Sequence, residues 1–293
     1  MTGTVVLAGS LDRTGRWLAK HLTETGWDVT CISLSRANWE LGGYRGISFR
    51  AADLTEQVET AEAISTEDPD AVVHWATLPS PERHSGMRIF ENNVIGAYNV
   101  LTAAGRANAR IAWASNESAY GFQLAGEPTL PEYLPLDEEH PLRPQDPYGT
   151  SKAVGEQIGA MVARRYGVPV ASIRGSWVQF PTKYDCLDAR DNLATGAGNF
   201  WSYVDVRDVV TAIERAITVD FDGHEPFIVS AADNYLDEPI EDALTEFFGG
   251  VPERSTISGA DSALSTEKAE SMLGWTPTHS WRDSVDEDEF VMP

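Results

Sequence analysis

Tyr148 and Lys152 are the residues of this chain best suited to carry a proton. They stand four apart in Pro147-Tyr148-Gly149-Thr150-Ser151-Lys152, a spacing that puts both on one face of a helix. An ammonium beside a phenol lowers the phenol's pKa and can also reach a ribose hydroxyl, which makes the tyrosine a usable proton carrier near neutrality. One strand earlier lies Ala114-Ser115-Asn116-Glu117-Ser118-Ala119-Tyr120-Gly121.

A second cluster is suited to holding a phosphate. In Ala8-Gly9-Ser10-Leu11-Asp12-Arg13-Thr14-Gly15, the first glycine permits a tight turn out of a strand and the last permits close helix–sheet approach. The helix N-terminus between them offers free N–H groups and partial positive charge to a pyrophosphate. Gly9, Leu11, Asp12, Arg13, Thr14 and Gly15 are therefore candidate coenzyme contacts. Asp12 stands where the middle glycine of such a loop is usual, and its carboxylate needs Arg13 or Arg16 to offset it. Ser33, Ser35 and Arg36 stand at the end of the second strand, with no acidic residue at that edge. Hydroxyls with a guanidinium suit a 2′-phosphate, so NADP is the expected coenzyme and NAD the alternative.

The elements that must position these residues alternate. Apolar strands are expected at Thr4–Ala8, Asp28–Leu34, Ile47–Arg50, Ala71–Trp75, Arg110–Ala114 and Val170–Ile173, with helices over Met87–Gly105 and Tyr148–Tyr166. Strands separated by helical crossovers imply an α/β doubly wound parallel sheet with both faces covered. Residues 1–175 read as a dinucleotide-binding domain. Residues 176–293 read as a small substrate lobe with some segments returning to the first domain: a helix over Val206–Ile217, a strand at Pro226–Val229, and helices near Ile240–Phe248 and Glu267–Leu273. Two irregular stretches, Asn116–Asp146 and Trp177–Phe200, are candidate binding loops.

The 293 residues carry 45 acidic and 22 basic side chains, a net charge of −23, with only four lysines. That balance disfavours nucleic acid and anionic membrane as partners, and no apolar run is long enough to span a bilayer. Scattered carboxylates suit a salt-saturated cytoplasm, where screening removes self-repulsion. Cys31 and Cys186 form no disulfide framework, the N-terminal run lacks the regions of a secretory signal, and the six histidines show no metal-ligand spacing. A cytoplasmic location, without a metal, is the expectation.

The glycine turn, Ala52-Asp53-Leu54, Val72-Val73-His74-Trp75-Ala76, Asn93-x-x-Gly96, Ser115 to Gly121, Tyr148-x-x-x-Lys152 and Tyr203-Val204-Asp205-Val206-Arg207-Asp208 come in a telling order and spacing. In this the chain resembles the extended short-chain dehydrogenase/reductase family, the NAD-dependent epimerase/dehydratase group. Ser265-Thr266-x-Lys268-Ala269 and Leu273-Gly274-Trp275-x-Pro277 extend the likeness. The resemblance implies a Rossmann domain, Tyr148 as acid/base and Lys152 as its partner. It also implies Asp53 on the adenine amine, Ala76 lining the coenzyme with Leu54, Trp75 and Thr77 around it, and Asn93 supporting the helix beside the site. Where the family places a Ser or Thr to hydrogen-bond the reacting oxygen, this chain has Asn116 with Ser115 just before it, and the resemblance implies that these two orient that oxygen, as catalytic partners and as substrate contacts.

The segment around Gly175-Ser176 resembles aldose and uronate 1-dehydrogenases. Trp177, Gln179 and Arg190 are then the candidate substrate contacts, with Phe200-Trp201-Ser202-Tyr203 as an aromatic platform for a sugar. The leading expectation is oxidation of C1 of a free aldose to its lactone with NAD(P)⁺. Fewer than ~120 residues after the sixth strand leave little surface to enclose a nucleotide diphosphate as well. A nucleotide-sugar epimerase or dehydratase with retained NAD is the alternative, and a non-catalytic NAD(P)H-binding sensor is a third reading. A homo-oligomer, dimer or higher, is expected through the helices Met87–Gly105 and Tyr148–Tyr166.

Overall fold

The computed structural model describes residues 3–9, 12–34, 47–79 and 84–284; the candidate contacts Leu11, Ser35 and Arg36 lie outside the described residues. In chain order the elements are β1 (Gly3–Ala8), α1 (Arg13–Glu24), β2 (Trp27–Ser33), β3 (Ile47–Ala51), α2 (Gln57–Ser65), β4 (Ala71–His74), α3 (Gly86–Arg106), β5 (Arg110–Ala114), β6 (Tyr133–Leu134), α4 (Pro147–Tyr166) and β7 (Val170–Gly175). There follow β8 (Val178–Gln179), α5 (Asp185–Asp188), α6 (Leu193–Gly196), β9 (Val204–Asp205), α7 (Val206–Thr218), β10 (His224–Val229), α8 (Ile240–Phe248), β11 (Arg254–Ser255), α9 (Glu267–Leu273) and α10 (Trp281–Ser284).

Seven strands form one sheet in the order β10-β7-β5-β4-β1-β2-β3, and every neighbouring pair runs parallel. The strands are apolar without alternation because both faces are covered. Leu18 and Leu22 of α1 with Val209 and Ile213 of α7 fill one side. Ile64 of α2, Val100 and Leu101 of α3 and Val162 of α4 fill the other. A third cluster, including Leu134, Trp201, Tyr203, Tyr235 and Leu244, is the core of the C-terminal lobe. The seventh strand comes from that second half: Pro226↔Ser172 and Phe227↔Ile173 pair β10 with β7. Without it, β7 would present an uncovered edge of unpaired backbone groups.

The chain leaves β1 toward β2 and β3, then returns to β4 on the opposite side. This reversal puts the C-terminal ends of β1 and β4 side by side and opens a crevice there, the place where doubly wound sheets bind ligands. Gly9 forms its rim with φ +84°; a Cβ on it would stand 1.8 Å from the Ala76 Cβ.

Helix α4 lies against β5 because Gly155 has no side chain. A Cβ there would come within 2.4 Å of the Trp113 ring, which is fixed by a 2.6 Å hydrogen bond from its Nε1 to Ser172 Oγ. Gly155→Ala is expected to destabilise the fold by about 1–3 kcal/mol, the usual cost of overpacking a rigid contact. A denaturant midpoint equal to that of the unaltered protein would show that α4 is not held this closely.

Candidate active site

Asp146 caps α4. Its Oδ1 accepts the N–H groups of Tyr148 and Gly149 at 2.8 and 2.9 Å, and Pro147 takes the first helical position, where no N–H is needed. Gly149 lets this first turn rest on the 3-10 turn Glu117–Tyr120 that follows β5, since a Cβ would stand 2.5 Å from the Ser118 carbonyl oxygen. Tyr148 and Lys152 are thereby turned inward, 8% and 3% exposed. The Lys152 Nζ lies 5.2 Å from the Tyr148 ring centroid and donates to the Ala114 carbonyl oxygen at 2.6 Å.

Burial dominates the electrostatics. It brings Lys152 down to about 7. Burial also raises Tyr148, with the Thr77 hydroxyl pulling it back and the Asp146 and Glu117 carboxyls pushing it higher. The lowering of the phenol expected from the spacing is therefore not found: the ammonium is engaged by a strand-end carbonyl, and desolvation outweighs it.

The crevice is a cavity of about 200 Å³ lined by Gly9, Ser33, Ala52, Asp53, Leu54, His74, Ala76, Thr77 and others. A Cβ on its Gly96 would meet nothing within 4 Å, and the Thr77 hydroxyl is buried at its wall beside the Tyr148 phenol. These are features of a cradle for an extended ligand. Asp53 Oδ1 accepts from Thr55 N and Oγ1 at 2.9 and 2.7 Å, which fixes the carboxyl at the cavity wall. Asn93 binds the backbone of Leu78 through both side-chain ends, at 2.8 and 3.2 Å, and donates to Ser151 Oγ at 3.2 Å. It ties the crevice wall to α3 and α4 together.

Several expected contacts are committed elsewhere. Asp12 is the cap of α1, accepting the Gly15 N–H at 2.7 Å, so it occupies a donor that a pyrophosphate would use; Thr14 and Gly15 are buried in α1. Arg13 lies over the Phe180 ring at 3.9 Å. Trp75 packs into the core on the α1 and α7 side, because it follows His74, which faces the cavity. His74 is held near 3 by burial and by the Lys152 charge.

Ser115 Oγ donates to Glu156 at 2.7 Å, and Glu156 is paired with Arg174 at 2.7 Å. Asn116 donates to the Gly175 carbonyl and accepts from the Ser118 N–H. Ser115 thus holds a carboxylate of α4, and Asn116 holds backbone. Gln179 is 1% exposed and bridges Trp177 O and Cys186 N. Trp177 packs edge-on against Tyr235. Arg190 holds Tyr235 O and Asp237 and stacks on Trp281. Phe200, Trp201 and Tyr203 are core, so the expected platform is packing. What sequence reasoning passed over is Glu117, a buried acid inside the quoted Ser115–Gly121 run. Its signal was one charged residue among small and aromatic ones.

Residues 5–230 match the NAD dependent epimerase/dehydratase family. The chain belongs to that family. It is 33% identical over 180 residues to the L-arabinose 1-dehydrogenase (NAD(P)(+)) of Haloferax volcanii, covering 59% of this chain and 66% of that protein. It is 29% identical over 179 residues to a putative UDP-glucose 4-epimerase of Methanocaldococcus jannaschii, covering 59% and 55%. The chain thus spans less than two thirds of either relative's length. Among solved structures, the UDP-glucose 4-epimerase of Thermotoga maritima with UDP-glucose superposes with a TM-score of 0.72 at 20% identity, covering 97% of this chain and 96% of that one. That likeness establishes the shared fold, and no helix among the described residues is long and apolar enough to cross a membrane.

The pair Glu156–Arg174 locks the family's Tyr-x-x-x-Lys helix to β7. Glu156→Ala should lower the unfolding free energy by about 3–5 kcal/mol, as expected for an abandoned buried charge. Replacing both, as Glu156→Leu with Arg174→Met, should cost less. Urea titrations giving additive losses would show that the two do not act as a unit.

Proposed function

We propose that this protein oxidises C1 of a free, neutral aldose to the lactone with a nicotinamide coenzyme. The observation that carries the reading is the nearness of Tyr148 and Lys152, whose Nζ lies 5.2 Å from the Tyr148 ring centroid, beside Thr77 of the switch-point crevice wall. The bound coenzyme would supply the hydride acceptor. Tyr148 takes the proton of the C1 hydroxyl, and Lys152 supports the phenolate and the coenzyme ribose. Gly9, Ala76, Thr77, Asp53 and Leu54 hold the coenzyme along the crevice wall, and Asn93 keeps that wall aligned with α4. NADP is preferred in this reading, on the hydroxyl of Ser33 at the cavity rim and on the Ser35 and Arg36 that follow in sequence.

A free sugar is favoured over a nucleotide sugar by the fate of the lobe's cations. A diphosphate calls for arginines or helix N-termini free to receive it. Arg207 pairs with Asp205 at 2.8 Å and Arg282 with Asp233, while Arg190 pairs with Asp237 at 2.8 Å through one terminal nitrogen and keeps the other buried without a partner. The 33% identity to the arabinose dehydrogenase points the same way.

Likeness to UDP-glucose 4-epimerases in both comparisons supports a second reading, epimerisation with the coenzyme retained. Self-association through α3 belongs to either reading: Met87, Ile95 and Tyr98 form an exposed stripe on it. A cytoplasmic setting rich in salt also belongs here, on the charge of −23.

The test is a spectrophotometric screen of aldoses, with NAD⁺ and NADP⁺, in dilute buffer and in concentrated KCl. Net coenzyme reduction is expected, with Tyr148→Phe lowering kcat by about 10²–10⁴, the usual contribution of a positioned proton carrier. Coenzyme affinity, read by NAD(P)H fluorescence, should stay within threefold. Interconversion of UDP-glucose and UDP-galactose without net reduction would establish the second reading instead.

A further inference from the structure

Asp12 puts an acid at the place where the crevice would receive a diphosphate. It is exposed and caps α1, the helix that follows β1 at the switch point. A helix N-terminus attracts an anion through the N–H groups that find no partner within the helix. One of them is already taken: Asp12 Oδ1 accepts the Gly15 N–H at 2.7 Å. The chain supplies its own anion to this helix end.

The surroundings keep that anion in place. Of the two guanidiniums next in sequence, Arg13 lies over the Phe180 ring at 3.9 Å, and Arg16 is near enough for its charge to favour the carboxylate. Loss of water raises the Asp12 pKa, while the Gly15 N–H, Arg16 and the Thr14 N–H draw it back toward the ionised form. The cavity beside this end is open and lined by Gly9, Ser33, Asp53 and Ala76. A diphosphate brought to α1 must displace the carboxylate, which breaks the cap, or lie beside it as a like charge. Both subtract from affinity.

We propose that the Asp12 carboxylate competes with the coenzyme's diphosphate for the N-terminus of α1, so that the coenzyme is a loosely held, exchanging co-substrate whose binding strengthens as salt screens the like charges. This rests on the reading of the switch-point crevice as a nicotinamide coenzyme site. It also separates the two readings above. Net oxidation needs a coenzyme that leaves in each cycle, and epimerisation needs one that stays.

The experiment titrates NADPH and NADH fluorescence, without sugar, on the unaltered protein, Asp12→Asn, Asp12→Gly and Asp28→Asn. Asparagine keeps a capping oxygen and loses the charge, whereas glycine removes both. Asp28→Asn removes an equal charge from an exposed position at the N-terminal end of β2, the end of the sheet away from the crevice. In about 0.01 M salt, where the Debye length is about 30 Å, both Asp12 variants should lower Kd about five- to fiftyfold, and Asp28→Asn less than about twofold. In about 1 M salt, where the length is about 3 Å, the unaltered protein should bind more tightly than in dilute buffer, and the gap to Asp12→Asn should close to less than about threefold. Should the fold be lost in dilute buffer, the same contrast is read between about 0.1 M and about 1 M salt.

Binding seen only in the Asp12 variants is the extreme form of the expected result. Equal affinities of the unaltered protein and Asp12→Asn at low salt, weaker binding by Asp12→Asn, or a coenzyme retained through purification overturns the assignment and leaves the crevice reading standing. Absence of binding by every variant, Asp12→Gly included, removes the crevice reading and this inference with it.

Discussion

The buried ion pair between Glu156 and Arg174 is the constraint on which the geometry of the site depends. Both side chains are 4% exposed. The guanidinium meets the carboxylate through Nε and one terminal nitrogen at 2.8 and 2.7 Å, the bidentate geometry that makes such a pair directional. Its other terminal nitrogen donates to Tyr120 Oη and to the Glu138 carbonyl, and Ser115 donates to the same carboxylate. One pair thus fixes α4 relative to β7, to the end of β5 and to the loop beyond it. Glu156 lies one turn after Lys152 on the same helix face, so the register that satisfies the pair also sets where the ammonium and phenol point.

The crevice depends on a different kind of constraint, the lack of side chains. Gly9 and Ala76 approach so closely that a methyl group on the glycine would coincide with the alanine Cβ. Gly9 N donates to Ile32 O, and the Ala8 carbonyl accepts from Trp75 and Ala76. Three strand ends are therefore stitched together where the sheet reverses direction. Wall and proton-carrying helix then share one fastener in Asn93, whose amide reaches both the Leu78 backbone and Ser151.

How much of this was legible in sequence follows from what kind of information each feature needs. The strands and the long helices are local patterns of apolar residues, and they fall where those patterns lie. Helix α2 was not foreseen because Gln57–Ser65 has little one-sided apolar character and is placed by its packing under α3. Tyr148 and Lys152 were legible because a four-residue spacing survives any folding of the rest. Ser115, Asn116, Gln179 and Arg190 were read as ligand contacts from their chemical type. Whether Ser115, Asn116 or Arg190 faces a ligand or another part of the protein is decided by partners 40 or more residues away, Glu156, Gly175 and Tyr235; Gln179 is turned to nearby backbone, Trp177 and Cys186, by the local fold. Glu117 went unread for the same reason: an acid on a turn is ordinarily solvated, and only the tertiary fold removes its water.

Burial then links the groups at the mouth of the crevice. Lys152 is drawn down to about 7, Glu117 up to about 8 and His74 down to about 3, each chiefly by loss of water. Tyr148 is pushed up by the same cause. A protein with a net charge of −23 thus encloses a site in which loss of water favours the neutral forms of its acid, imidazole, phenol and amine alike. In so weakly solvated a place, each new charge acts over several ångströms with little screening. A charged group bound in the crevice would act on Lys152 and Tyr148 at short range, since both are buried beside its wall. The reactive protonation states are then properties of the filled crevice and not of either side chain alone.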